Sequence, residues 1–359
     1  MSTLHPIRVL TVKVIGLCLG FGLIAVPIGR SLVAGSPKAE IKPIPLGAVD
    51  WVGEIRNAAD VKGKASWAKR FLKAVVGLDD RQNAMLMPIG VAVDAQGRVL
   101  VADTKARVLH IFDSTGQRYQ AVHPPDSDPF ISPIAVATDA AGRIYVSDSV
   151  RSRVFVFSAQ GKYQRALGAI DREESIFKRA TGIAIDRERE RLYVVDTLAM
   201  RVVVMTLDGK VLKRFGERGV GPGEFNYPTF VAVAPDGSVW VTDSLNFRVQ
   251  HFDGDGKFLV ALGRHGDGPG DFDKAKGIAV DQQGRVYVVE GRNDRVQVFD
   301  GEGRMLFIFG ATGSGSGEFF LPTGIAVGSD NHIYVADGYN RRVQLFRLRQ
   351  EGSDPAGGK

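Results

Sequence analysis

The sequence predicts an all-β chain built as a six-bladed β-propeller, and two observations carry that prediction. One motif recurs six times: "VLVADTKARVLHIF" from Val99, "IYVSDSVRSRVFVF" from Ile144, "LYVVDTLAMRVVVM" from Leu192, "VWVTDSLNFRVQHF" from Val239, "VYVVEGRNDRVQVF" from Val286 and "IYVADGYNRRVQLF" from Ile333. Its acids, Asp103, Asp148, Asp196, Asp243, Glu290 and Asp337, stand 45, 48, 47, 47 and 47 residues apart. Around each copy lie further apolar runs closed by turns of Gly, Asp and Asn, which makes four strands per repeat. A four-stranded sheet repeated at this period buries both faces only against its neighbours, and that is a propeller blade.

The N-terminal segment comes first. No residue from Val14 to Gly29 is charged, Val9–Val12 extends the run beyond Lys13, and Arg8, Lys13 and Arg30 are opposed by no acid before Gly35. With a snorkelling Lys13 the stretch reaches about 20 residues, enough to span a bilayer. Residues 1–35 therefore read as a signal peptide or an uncleaved transmembrane anchor, with the body translocated. Cys18 is the single cysteine, which excludes an internal disulfide and a thiolate zinc site, and Leu17 before it argues against lipidation. Residues 36–47, "SPKAEIKPIPLG", form a stiff Pro-rich linker.

Residues 48–86 hold two elements. "AVDWVGEIR" (Ala48–Arg56) has strand composition and no local partner, while the sixth repeat stops after its third strand at Phe346. The first is expected to supply the outer strand of the sixth blade, covering an open edge. "SWAKRFLKAVVG" (Ser66–Gly77) reads as a short basic amphipathic helix with Ser66 as N-cap, packed on the propeller rim or lying on a membrane surface. The propeller occupies residues 87–348, and residues 349–359 form a flexible tail.

Within each repeat the acid lies nine residues before the last aromatic or Met, and in five repeats an arginine stands five after the acid. The pairs Asp148 with Arg153, Asp196 with Arg201, Asp243 with Arg248, Glu290 with Arg295 and Asp337 with Arg342 flank the turn between second and third strands. An ion pair stapling each hairpin is expected, a structural device rather than five active sites. In blade one Arg107 is only four after Asp103, which turns it to the other face or forces a bulge, so no staple is expected there.

The units "FGERGVGPGEFNYPTFVAV", "LGRHGDGPGDFDKAKGIAV" and "FGATGSGSGEFFLPTGIAV" resemble NHL repeats, whose usual form is glycine-rich linker, Phe, Pro, Gly-Ile-Ala-Val, acid, Arg, Val, Phe. The resemblance covers Met87–Leu348, and with the apolar leader it is to bacterial membrane-anchored members. It implies a six-bladed propeller and a binding surface.

A site is expected where one blade breaks the pattern. Just before the Gly-Ile-Ala-Val runs stand Ile89, Ile134, Thr181, Thr229, Lys276 and Thr323; Lys276 alone is charged, and it precedes the only Glu among the repeat acids by fourteen residues. Phe230 replaces the Gly or Ala of the other blades. A ligand pocket at the channel mouth between blades four and five is thus expected from Phe230, Lys276, Glu290 and Arg292, with Tyr339 and Arg341 from the turn of blade six. The competing reading is a plain Lys276–Glu290 ion pair.

The function these features imply is a non-enzymatic recognition scaffold, membrane-tethered and extracytoplasmic, binding a protein, peptide or glycan through the top face. It would be a monomeric propeller without a cofactor. The alternative is a metal-dependent lyase- or lactonase-like enzyme at the channel mouth, because NHL propellers are similar in architecture to peptide-amidating lyases and lactonases; Ca or Zn would belong to that reading. The histidines outline no ligand ring: His110 and His251 lie on third strands with opposite facing, and His5, His123, His265 and His332 lie in the leader, loops or turns. No "GxSxG" elbow is present. RNA binding, which NHL domains of the tripartite-motif family perform, would need a concentrated basic face. Here Lys105, Arg151, Arg292 and Arg341 are interrupted by Asp294, and half of the +6 formal charge belongs to the leader, which argues against nucleic acid.

Overall fold

Residues 48–61, 84–168 and 175–349 are described by the structure, a computed structural model. Blade one holds Pro88–Val93, Val99–Asp103, Val108–Asp113 and Arg118–Val122, paired antiparallel in chain order from the inner strand outward. Blades two to five repeat this arrangement from the inner strands Pro133–Thr138, Ala180–Asp186, Pro228–Val233 and Ala275–Val280. Blade six is built from Ile325–Val327, His332–Asp337 and Arg342–Leu348, with Val49–Ile55 as its outer strand. The ring is therefore closed inside one sheet: Val49 pairs with Leu348 and Ile55 with Val343, with a register shift between Trp51 and Gly53. Side chains reinforce the seam, since Trp51 Nε1 donates to Gln344 Oε1 at 3.0 Å and Arg342 Nη1 to Glu54 Oε2 at 2.7 Å.

The second strands are rich in β-branched and aromatic residues and, apart from the leading Arg191 and His332, buried at every position, as in Val286–Glu290, because a propeller sheet has no solvent face. Among the described residues the core divides into six apolar clusters, one per blade interface. Tyr287 and Val289 of blade five meet Ile333 and Val335 of blade six. Tyr334, Ala336 and Val343 of blade six meet Val99, Val101 and Phe112 of blade one, where Ile55 and Met85 join them. Nearer the axis the inner strands approach closely: a Cβ at Gly90 would stand 2.4 Å from Ile134 O, and one at Gly324 2.3 Å from Ile89 O. That contact explains why the Gly-Ile-Ala-Val run begins with glycine.

Turns between second and third strands and linkers into the inner strands share one face, the upper face. In every blade the residue four after the acid is left-handed: Arg107, Ser152, Met200, Phe247, Asp294 and Arg341 all have positive φ. Arg107 is thus in register with its counterparts. The second and third strands of blade one pair without a shift, with Val108 opposite Asp103, so the expected bulge does not occur; the arginine is missing because valine occupies its place. The glycine-rich linkers are pinned from below. Phe225, Phe272 and Phe319 are fully buried, and Gln250, Gln297 and Gln344 accept from Gly223, Gly270 and Gly317 N at 3.0, 2.8 and 2.9 Å.

No helix among the described residues is long and apolar enough to cross a membrane. The apolar run Val14–Gly29, the expected helix Ser66–Gly77 and the tail from residue 350 lie outside the described residues.

Candidate functional site

All six repeat acids are fully buried at the upper ends of the second strands. What they share is a hold on the linker into their own blade. Asp103 accepts from Leu86 and Met87 N at 2.6 and 3.0 Å, Asp148 from Ile131 and Ser132 N at 2.7 and 2.9 Å, and Asp196 from Lys178 and Arg179 N, both at 2.9 Å. Asp243 accepts from Asn226 N at 2.7 Å, Glu290 from Asp273 and Lys274 N at 2.9 and 2.7 Å, and Asp337 from Phe320 N at 2.9 Å. Backbone satisfaction is the reason these carboxylates tolerate burial.

The arginines are less uniform than the spacing suggests. Arg201, Arg248 and Arg342 reach Asp196, Asp243 and Asp337 at 3.2, 2.9 and 2.8 Å. Arg153 instead pairs with Asp128 at 2.6 Å, because the linker of blade two brings that carboxylate alongside while Asp148 is occupied by four backbone N–H groups. Arg295 makes no ion pair with Glu290. The Glu290 carboxylate is held by the linker N–H groups, Arg295 donates to the carbonyls of Asp267 and Gly268, and its buried Nε is left without a partner. In blade one His110 takes the vacant side, with Nε2 3.5 Å from Asp103 Oδ2 and Nδ1 2.8 Å from the Tyr119 hydroxyl.

Burial raises the carboxyl pKa of Glu290 and of Asp243 above the ordinary range, against the pull of their hydrogen bonds. For Asp103 burial acts the same way but is outweighed by His110 and the backbone N–H groups, which hold it low. Glu290→Asp should therefore be tolerated. Shortening the side chain offers Arg295 Nε a partner while stretching one linker bond, for a net change within about 1 kcal/mol in urea unfolding; a loss above about 2 kcal/mol would contradict this account.

The inner strands line an axial cavity of about 430 Å³, walled by side chains such as Val91, Val136, Val231 and Ile325 together with the polar Asp186, Arg187, Glu188 and Gln282. Phe230 lines it too and packs against two apolar clusters, that between blades two and three and that between blades four and five. The expected pocket between blades four and five is not assembled. Glu290 is sealed below the surface, and Lys276, half-buried, is not paired with it: the lysine stem lies against Gly291, at the step from blade five to blade six. Arg292 is exposed and pairs with Asp273 at 2.8 Å. Tyr339 is exposed with its ring centroid 5.4 Å from that of Phe320, and Arg341 is an exposed turn residue.

What the structure brings together was legible in the sequence only at Arg292 and Tyr339. Two residues after each acid, at the crest of the upper turns, stand Lys105, Val150, Leu198, Leu245, Arg292 and Tyr339. Val150, Leu198, Leu245 and Tyr339 are 57%, 46%, 48% and 56% exposed, and Leu86, Val220, Phe320 and Leu321 add exposed apolar surface from the adjoining linkers. The signal was one column of the repeat reading Val, Leu, Leu, Tyr where turns are usually polar; attention to unusual charges passed over it. Metal-holding capacity is a different matter. No three His, Cys, Asp or Glu among the described residues form a group able to hold an ion, and the six buried carboxylates are engaged by backbone N–H groups. The described residues do not fit a channel metal.

Residues 77–265 match the SMP-30/Gluconolactonase/LRE-like region, and residues 272–299 and 321–346 match NHL repeats. No curated protein matches the chain in sequence. Solved structures share the fold at low identity. A gluconolactonase from Xanthomonas campestris is 16% identical with a TM-score of 0.56, covering 86% of this chain and 99% of its own. Virginiamycin B lyase from Staphylococcus aureus is 15% identical with a TM-score of 0.53, covering 74% and 96%. A chain of a nidogen/laminin complex is 17% identical with a TM-score of 0.52, covering 71% and 87%. Such likeness establishes the propeller and nothing finer.

Proposed function

This chain belongs to the SMP-30/gluconolactonase/LRE-like family and carries NHL repeats, and from that premise we propose that it is a recognition scaffold, membrane-tethered and extracytoplasmic, whose upper face binds a protein, peptide or glycan. The observation that carries this reading is the crown of exposed apolar side chains, Val150, Leu198, Leu245 and Tyr339, at one repeat position around the channel mouth. Scattered surface leucines need no explanation, but a set concentrated on the face where propeller loops converge marks an interaction site. The apolar run Val14–Gly29 supports tethering.

In-cell crosslinking and capture, run in parallel on the wild type and on Leu198→Ser/Leu245→Ser, tests the reading. Burying one such side chain is worth about 1.5–3 kcal/mol, so the pair should weaken binding by at least about tenfold while the thermal midpoint is unchanged. Partners captured equally by both proteins would rule the crown out. Family membership favours the second reading, a lactonase- or lyase-like enzyme that would depend on a metal, since a gluconolactonase and a virginiamycin B lyase are among the structures that share the fold. Stoichiometric Ca or Zn in the purified full chain, together with lactone turnover, would establish that reading in place of the first.

A further inference from the structure

Lys276 is the one member of its repeat position whose polar group finds no partner among the described residues. Thr181 donates to Thr229 O and Thr323 to Ile89 O, each at 3.0 Å, and the Thr229 hydroxyl meets those of Thr242 and Ser244 at 3.0 and 2.8 Å. The lysine ammonium has neither hydrogen bond nor ion pair there, and burial together with Lys274 lowers its pKa. Half-buried charges are normally compensated, and an ammonium left open at a channel mouth selects for an anion.

A second observation shows that the space for this lysine is built. One residue after the acid, Thr104, Thr197 and Ser244 donate to inner-strand carbonyls of the next blade, Pro133, Pro228 and Ala275, at 2.5, 2.7 and 2.7 Å. Blade five has Gly291 there. A Cβ at Gly291 would lie 2.9 Å from Lys276 Cγ and 3.2 Å from Pro322 O, so the lysine stem fills the slot that a hydroxyl fills elsewhere. Blade six also has a glycine, Gly338, but there the nearest side-chain atom is Thr323 Cγ2 at 3.9 Å. Glycine at 291 and lysine at 276 form a coupled pair. On the same face, two residues after the acids, Leu198, Leu245 and Tyr339 are exposed alongside the cations Lys105 and Arg292, so the upper face joins the unpaired Lys276 to several exposed apolar side chains.

We propose that the channel mouth binds an extended apolar peptide that carries a carboxylate, the carboxylate on Lys276 and the flanking side chains on Leu198, Leu245 and Tyr339, with Gly291 positioning the lysine. The inference rests on the recognition reading above. Three acetylated probes test it by calorimetry on the full chain: Ser-Leu-Val-Phe-Leu as the free acid, the same peptide as its amide, and Ser-Leu-Asp-Phe-Leu amide. The expected result is binding of one or both carboxylate peptides, at least about tenfold weaker for the uncharged amide and for Lys276→Met. Gly291→Ala should weaken carboxylate binding in the wild type and have no further effect in the Lys276→Met background.

Equal binding of acid and amide, unchanged affinity of Lys276→Met, or no binding of any carboxylate peptide up to about 1 mM would overturn the proposal. So would tighter binding of decanoate than of any peptide, which would assign the mouth to a lipid carboxylate. A partner lost by Leu198→Ser/Leu245→Ser but kept by Lys276→Met would leave the recognition reading standing and end this one.

Discussion

Arg342→Ala is expected to lower the unfolding free energy by about 3–5 kcal/mol, the cost of stripping a partner from buried charge. Its guanidinium is only 2% exposed and joins four groups: Nε to Asp337 at 2.8 Å, Nη1 to Glu54 at 2.7 Å, and Nη2 to the carbonyls of Gly315 and Glu318, both at 2.8 Å. Asp337 is fully buried, so deletion strands a carboxylate in the interior. Glu54 lies on the strand that closes the ring, so the same deletion loosens the seam between the two ends of the propeller. Arg201→Ala is the comparison. That side chain is 30% exposed and pairs with Asp196 at 3.2 Å, and its loss should cost about 1 kcal/mol or less. Urea unfolding of the two variants decides the matter; equal losses would mean that burial and ring closure contribute nothing special at Arg342.

This contrast also marks where sequence reasoning holds and where it stops. Spacing alone identifies six blades, because the acid and the terminal aromatic recur at fixed intervals and each strand is apolar enough to be buried on both faces. Spacing cannot say what an arginine touches. Arg153 and Arg295 hold the same register opposite Asp148 and Glu290 as Arg248 holds opposite Asp243, yet one turns to Asp128 and the other to linker carbonyls. Those choices depend on linker residues more than twenty positions earlier. The upper-face crown failed to register for another reason. A column of Val, Leu, Leu and Tyr reads as core until the turn geometry shows that it points outward. Lys276 was conspicuous as a lone charge, but its slot depends on Gly291, whose meaning appears only when the stem is seen lying over it.

Gly324→Val should destabilise the propeller by at least about 3 kcal/mol, and Gly324→Ala by about 1–3 kcal/mol. A Cβ there would stand 2.3 Å from Ile89 O, 3.1 Å from Gly90 Cα and 3.2 Å from Val91 N, all backbone atoms of the adjoining inner strand that no rotamer change can move. Gly277 faces the same obstacle, with Thr323 O at 2.4 Å. Gly53 supplies the control. Nothing lies within 4 Å of its Cβ direction and its φ is not left-handed, so Gly53→Ala should hold or slightly raise stability. Blade four bears directly on this expectation, since Phe230 already carries a Cβ at the equivalent position and its side chain lines the cavity. The ring of inner strands therefore accommodates a Cβ at two steps, Ala135 and Phe230, and stays tight at the four that hold glycine. Phe230→Ala combined with Gly324→Ala should then give additive losses, because the two residues stand two blades apart around the ring. A double variant markedly more stable than the sum would show instead that strain at Gly324 is relieved around the whole ring, and the channel would have to be treated as one mechanical unit.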